Sequence, residues 1–198
     1  MKYLIFLWVS LHGLTLFSAT DSVAKKDATV KTIDLSKEET SVRFLALVKP
    51  GSLRINGTGA KLSGTITLNG TQLAAEITVS LKDLETGISL RDQHMKEKYL
   101  EVEKYPTATL RITDMALPQS PLSSHINTKG VEFKGILNVH GVDSAVTGTA
   151  DIDSTGSMIV AEVKTRTTIS AHNIEKPGYL GVKVADEIEI QALMKLKK

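Results

Sequence analysis

The sequence predicts an all-β fold: an extended antiparallel barrel of about eight strands with one short helical insert. Three observations predict it. Apolar and polar residues alternate in one run after another, turn residues separate the runs at short intervals, and no crossover helices lie between the strands. A closed barrel is preferred to a sandwich because closure removes the open sheet edges that invite aggregation. A barrel of this size either fills with its own side chains or encloses one small ligand, and alternation alone does not choose between them.

Taken in order, residues 1–24 read as a secretory leader: Lys2 supplies the charge, Tyr3 to Val9 and Leu11 to Phe17 form the apolar stretch, and Ser22-Val23-Ala24 offers small residues for cleavage after Ala24. Residues 25–198 then form one domain. Thr32 to Leu35 and Ser41 to Val48 are strands, the second stopped by Pro50-Gly51. Leu62 to Leu68 is the next, and Asn69-Gly70 predicts a hairpin that returns through Leu73 to Leu84, with Ile77, Val79 and Leu81 on one face. Ala108 to Ile112, within the alternating segment Thr107 to Leu117, then Val131 to Val139, Ala145 to Ile152 and Met158 to Ile169 follow as strand candidates. In the last strand Ile188, Ile190, Ala192, Met194 and Leu196 alternate with polar residues. Pro118 to Lys129 and Ala171 to Lys183 read as surface loops, the latter placing Tyr179 and Leu180 at a rim.

The one densely charged, helix-compatible stretch is Arg91 to Pro106. Ser89 is expected to cap its helix, with Leu90, Met95 and Tyr99 as an inward stripe plugging one barrel end.

With 198 residues, 41% hydrophobic and 23% charged, the chain has the composition of a single globular domain. A net charge of +2 with no basic stripe gives no nucleic-acid signature. The sequence contains no cysteine, which removes disulfides, thiolate catalysis and cysteine metal sites. The single tryptophan, Trp8, lies in the leader. Beyond the leader, no apolar run approaches the ~20 residues of a membrane-spanning helix.

Catalytic patterns are weak. Asp92 and His94 stand two apart, so they do not share a helix face, and no His-Glu-x-x-His spacing accompanies them. His125, His140 and His172 fall in loops or at strand ends, where a solvated imidazole is expected. No Gly-x-Ser-x-Gly elbow occurs, and Gly57-Thr58-Gly59 leads into a strand where a phosphate loop would lead into a helix.

Three stretches resemble one family. Thr86-Gly87, Arg91-Asp92-Gln93-His94-Met95 and Val102-Glu103-Lys104-Tyr105-Pro106 are similar to the signature of the YceI-like proteins. Gly135 to Val142, containing His140-Gly141, and Val184 to Ile190 resemble two further family segments. The likeness runs from about Thr32 to Lys197. It implies a periplasmic or secreted lipocalin-like barrel, closed near one end by Arg91 to Tyr99, with a long apolar tunnel for a polyisoprenoid tail. Departures are Leu110 where the family carries Phe, Lys98-Tyr99-Leu100 in place of an aromatic pair, and the absence of an Arg-x-Asp-Phe-Gly before the last strand.

The first reading is therefore a binding module for a polyisoprenoid or other long-chain lipid, not an enzyme, with no cofactor, no metal and no nucleic-acid partner. Phe44, Ile77, Val79, Leu81, Phe133, Leu137, Ile188 and Ile190 are its lumen candidates, and Met95, Tyr99 and Tyr179 its rim candidates. Arg91, Asp92, His94, Tyr105, Pro106, His140 and Gly141 form a structural constellation. The alternative is a secreted structural or stress-related domain whose barrel is filled by its own side chains and whose partner is a protein. The oligomeric state is open, with a homodimer as the assembly considered.

Overall fold

The computed structural model describes residues 30–50, 53–59, 61–122, 125–179 and 182–198. The leader assignment at residues 1–24 and the rim assignment of Leu180 lie outside the described residues.

Strands β1 (Val30–Asp34), β2 (Glu39–Lys49), β3 (Arg54–Thr58), β4 (Leu62–Asn69), β5 (Gln72–Ser80) and β6 (Thr107–Ala116) come first. They are followed by β7 (Ile126–Val139), β8 (Val142–Thr155), β9 (Met158–Thr168), β10 (Gly178–Tyr179) and β11 (Val182–Lys197). Helix α1 spans Ser89–His94 and continues as a π turn over Met95–Tyr99. The expected eight strands are the eight long ones. The short β1 answers the strand expected over Thr32 to Leu35, and β3 and β10, of five and two residues, are additional pairings that the alternation was too short to announce.

All strands join one curled antiparallel sheet in the order β1-β4-β5-β6-β7-β8-β9-β11-β2-β3, with β10 paired to β11. Consecutive strands are mostly neighbours because short turns can join only antiparallel partners. Asn69 pairs with Gln72, so the β4–β5 turn is made by Gly70 and Thr71, one residue later than the expected Asn69-Gly70. Gly70 supplies the positive φ of 61°.

Among the described residues no ladder joins β3 back to β1. The seam is closed instead by the isolated bridge between Thr58 and Glu85, each amide donating to the other's carbonyl at 2.8 Å, and by the Leu62 amide donating to Thr40 Oγ1 at 2.8 Å. Lower down, Lys31 Nζ donates to the Lys197 carbonyl at 3.3 Å, and the Lys197 amide to Glu38 at 3.1 Å.

The inward face of every long strand feeds one continuous apolar core running from Ile33 and Leu35 to Met194 and Leu196. Two phenylalanines fill its width by lying across glycines. Phe44 is the register partner of Gly57 and Phe133 that of Gly148. A Cβ at either glycine would occupy the space of the facing ring. The missing side chain on one strand is thus the seat of the aromatic on the next.

The two ends differ. At the turn end, β6 connects to β7 through a loop that folds inward: Pro121 is fully buried, and the buried Ser154 Oγ donates to its carbonyl at 2.7 Å. The expected surface loop is therefore shorter than Pro118 to Lys129, because β7 already begins at Ile126. At the opposite end lie the β2–β3, β5–β6, β7–β8 and β9–β11 connections, with α1 in the second of these.

Candidate functional site

Two regions answer the sequence expectations, the barrel interior and the mouth at the α1 end. Inside, a cavity of about 40 Å³ sits toward the turn end, lined by apolar residues alone, among them Ile66, Ile77, Ile112, Met115, Ala161 and Met194. Ligand pockets occupy ~300 Å³ or more. This cavity is far smaller than the long open tunnel that the family resemblance implies. The buried aliphatic side chains of the long strands pack into one cluster.

Of the lumen candidates, Ile77, Leu81, Phe133 and Leu137 are buried in the core, and Phe44, Val79 and Ile190 are half-buried against it. Ile188 is half-exposed and not part of that core. Leu81 belongs to a 3₁₀ turn over Leu81–Asp83 and not to β5.

The mouth corrects the expected plug. No residue of α1 or of the π turn is buried, and Leu90, expected inward, is 63% exposed. The insert lies over the opening, while Leu81, Leu84 and Val102 from its flanks fill it. Met95 and Leu100 pack on the core from above, and Tyr99 is half-exposed, its ring centroid 5.1 Å from Lys98 Nζ. Tyr179 pairs with Val182 at the rim; its side chain is outside the described residues.

Helix α1 is not capped by Ser89. The N-cap is Ile88, which has no capping side chain, and Ser89 is already helical. The helix start is held by Thr86 instead. Its amide donates to Asp92 Oδ1 at 2.7 Å, and its hydroxyl donates to the same oxygen. Arg91 Nε and Nη2 donate to Thr86 Oγ1 and its carbonyl at 2.7 and 2.8 Å. Partial desolvation pushes the Asp92 carboxyl upward, but the Thr86 hydrogen bonds and the charges of Lys96 and Arg91 outweigh it and hold the group below its ordinary value. Arg91 and Asp92 thus fasten the insert to the preceding turn. His94 is exposed on the helix and does not join them.

The far side of the insert is fastened to the β7–β8 turn. His140 Nε2 lies 2.6 Å from Glu101, and its ring centroid is 4.3 Å from that of Tyr105 at 54°. Gly141, at φ +74°, passes beneath Tyr105, where a Cβ would come within 2.7 Å of the ring. The Pro106 carbonyl accepts from the Leu81 amide at 2.8 Å. Tyr105, Pro106, His140 and Gly141 therefore meet at one junction, and Glu101, which no local pattern marked, completes it.

His172 also departs from expectation. It is 1% exposed, on the 3₁₀ turn Ser170–His172 that follows β9. Nδ1 lies 3.1 Å from the Val142 carbonyl, which can only accept, so Nδ1 carries the proton and Nε2 accepts from Thr167 Oγ1 at 2.8 Å. Burial, reinforced by nearby His140 and opposed by the Val142 hydrogen bond, pushes its pKa below the ordinary histidine value. The turn is anchored by Asp186, which accepts from the Ser170 amide at 3.0 Å and its hydroxyl at 2.7 Å.

Among the described residues no group of three or more His, Asp or Glu side chains is placed to hold a metal ion. Likewise no helix is long and apolar enough to cross a membrane.

The YceI-like domain matches residues 32–196. No functionally curated protein matches by sequence. Solved structures share the fold at low identity. Burkholderia cenocepacia BcnA is 19% identical, with TM-score 0.64, and the match covers 82% of this chain and 98% of that one. A polyisoprenoid binding domain from Saccharophagus degradans is 13% identical, with TM-score 0.60, covering 86% and 98%. The Campylobacter jejuni YCEI protein is 14% identical, with TM-score 0.61, covering 75% and 87%.

Proposed function

This chain belongs to the YceI-like family, and from that premise we propose that it binds a polyisoprenoid or other long-chain apolar lipid between the walls of its barrel. The periplasm or the cell exterior is its place of action, reached through the leader of residues 1–24. The observation that carries the reading is the wholly apolar lining of the interior cavity, which offers a hydrocarbon tail burial and demands no hydrogen bond from it. Support also comes from the polyisoprenoid-binding relative of the same fold. At about 0.8 kcal/mol per buried CH₂, a tail of ten packed carbons offsets several kcal/mol of lost translational and rotational freedom.

Because the cavity holds only about 40 Å³, a tail enters by separating side chains that now touch. The wall best able to yield is the seam between β2–β3 and β4, where the isolated Thr58–Glu85 bridge and the Leu62–Thr40 bond replace a ladder. Asp92 and His94 act on no substrate in this reading.

The same small cavity favours a second reading, a barrel filled by its own side chains that serves as a protein-interaction domain. Native mass spectrometry and organic extraction of protein purified from an exporting host separate the two. A co-purifying long-chain lipid supports the first. Protein that carries none and fails to take up a fluorescent isoprenoid alcohol from detergent supports the second and sinks the first.

A further inference from the structure

We propose that the α1 end of the barrel docks on an anionic lipid surface, with Leu47, Lys49, Leu53 and Arg54 of β2 and β3 and Val182 and Lys183 of β11 as its foot. This rests on the lumen reading and specifies where the tail crosses between membrane and barrel.

The exposed apolar side chains are distributed unevenly. Among the described residues seven large hydrophobics are exposed, and five of them, Leu47, Leu53, Ile88, Leu90 and Val182, belong to the α1 end. Only Val30 and Val160 lie toward the turn end. Leu53 and Leu90 are 66% and 63% exposed, which strands apolar surface in water at a rim where nothing in the fold requires it.

Charge at the same tips has one sign. Lys49 stands directly opposite Lys183 in the β11–β2 ladder, and Arg54 opposite Leu47 in the β2–β3 ladder. Like charges facing each other across a ladder repel. Among the described residues none of these three cations has a carboxylate partner, whereas nearby acids are engaged: Asp186 with Lys176 and Glu187 with Arg166. Apolar side chains ringed by unpaired cations match the boundary between acyl chains and anionic headgroups.

The topology gives the placement a use. The turn end is stoppered by buried Pro121 and its bond from Ser154. The opposite mouth is filled by Leu81, Leu84 and Val102 and overlain by an insert that itself has no buried residue. A tail leaving a bilayer under the foot meets that mouth first.

Vesicle co-sedimentation tests the surface, using protein from an exporting host whose N-terminus is fixed by intact mass. Phosphatidylcholine vesicles are compared with vesicles also containing phosphatidylglycerol. Wild type is expected to partition onto the anionic vesicles and to be released by salt. The Leu53→Glu/Val182→Glu and Lys49→Glu/Lys183→Glu doubles should each lose about tenfold or more in partitioning. Val160→Glu, at the other end, should bind as wild type. The surface is refuted if wild type stays in the supernatant, if neutral vesicles bind equally well, or if the doubles bind unchanged. It is also refuted if the doubles merely convert a dimer to a monomer on size exclusion. Uptake of a fluorescent isoprenoid alcohol from detergent is read in parallel. Uptake without vesicle binding sinks the foot and leaves the lumen reading, while vesicle binding without uptake sinks the lumen reading instead.

Discussion

At the scale of single residues, His172 couples acidity to the stability of the fold. Its folded-state pKa is depressed, so the unfolded chain binds the proton more readily. The stabilisation is therefore complete above the ordinary histidine value of about 6.5 and is lost as pH falls through and below it toward the depressed value. Thermal melts of wild type should fall between about pH 7.5 and pH 5.5, and those of His172→Gln should fall less from a lower starting point. Equal slopes would remove His172 from the account. Asp92 and Asp186 titrate in a separate, more acidic window, since both carboxyls are held below their ordinary values. Gly141 is the backbone counterpart: Gly141→Ala combines a positive φ with a collision against Tyr105, and urea melts should show a loss of about 1–3 kcal/mol. The sequence exposed these residues unevenly. Gly141 was marked by the His140-Gly141 pair, but the burial of His172 was not, because its partners Val142 and Thr167 come from two other strands.

At the scale of elements, the insert depends on two fastenings, one at each end. Asp92→Ala removes the acceptor of the Thr86 amide and hydroxyl, and a net loss of about 1–1.5 kcal/mol for each of the two bonds corresponds to roughly 30- to 150-fold faster opening. Hydrogen exchange should then accelerate across residues 86–100 while β7, β8 and β9 keep their protection. Acceleration spread over the whole barrel would mean that the insert is integral to the fold. The strands themselves were legible in the sequence, since β2 and β4 to β9 fall within a few residues of their alternating runs. The insert was legible as an interruption but not in its orientation. Leu90, Met95 and Tyr99 suggested an inward stripe, yet the widening of the helix into a π turn at Met95 shifts the following residues around the axis, and Leu90 is left outward.

At the scale of the whole molecule, stability rests on one core whose width is set by Phe44 over Gly57 and Phe133 over Gly148. Phe133→Ala should cost about 3–5 kcal/mol in a urea melt, and a far smaller loss would show that the lumen collapses around the gap. If the leader is removed, the protein should show tyrosine but no tryptophan emission, because Trp8 is the single tryptophan; a tryptophan band would place cleavage elsewhere or nowhere. The sequence by itself determined the β class, the antiparallel barrel and the family, because alternation and turn chemistry are local and the signature is contiguous. Only the tertiary structure decided that the seam is closed by an isolated bridge and a side-chain bond, that the apolar interior cavity is about 40 Å³, and that the insert rests on the mouth instead of plugging it. Those outcomes depend on which side chains meet across the axis. An inward Leu or Ile has the same pattern along its own strand whether it faces a cavity or another side chain.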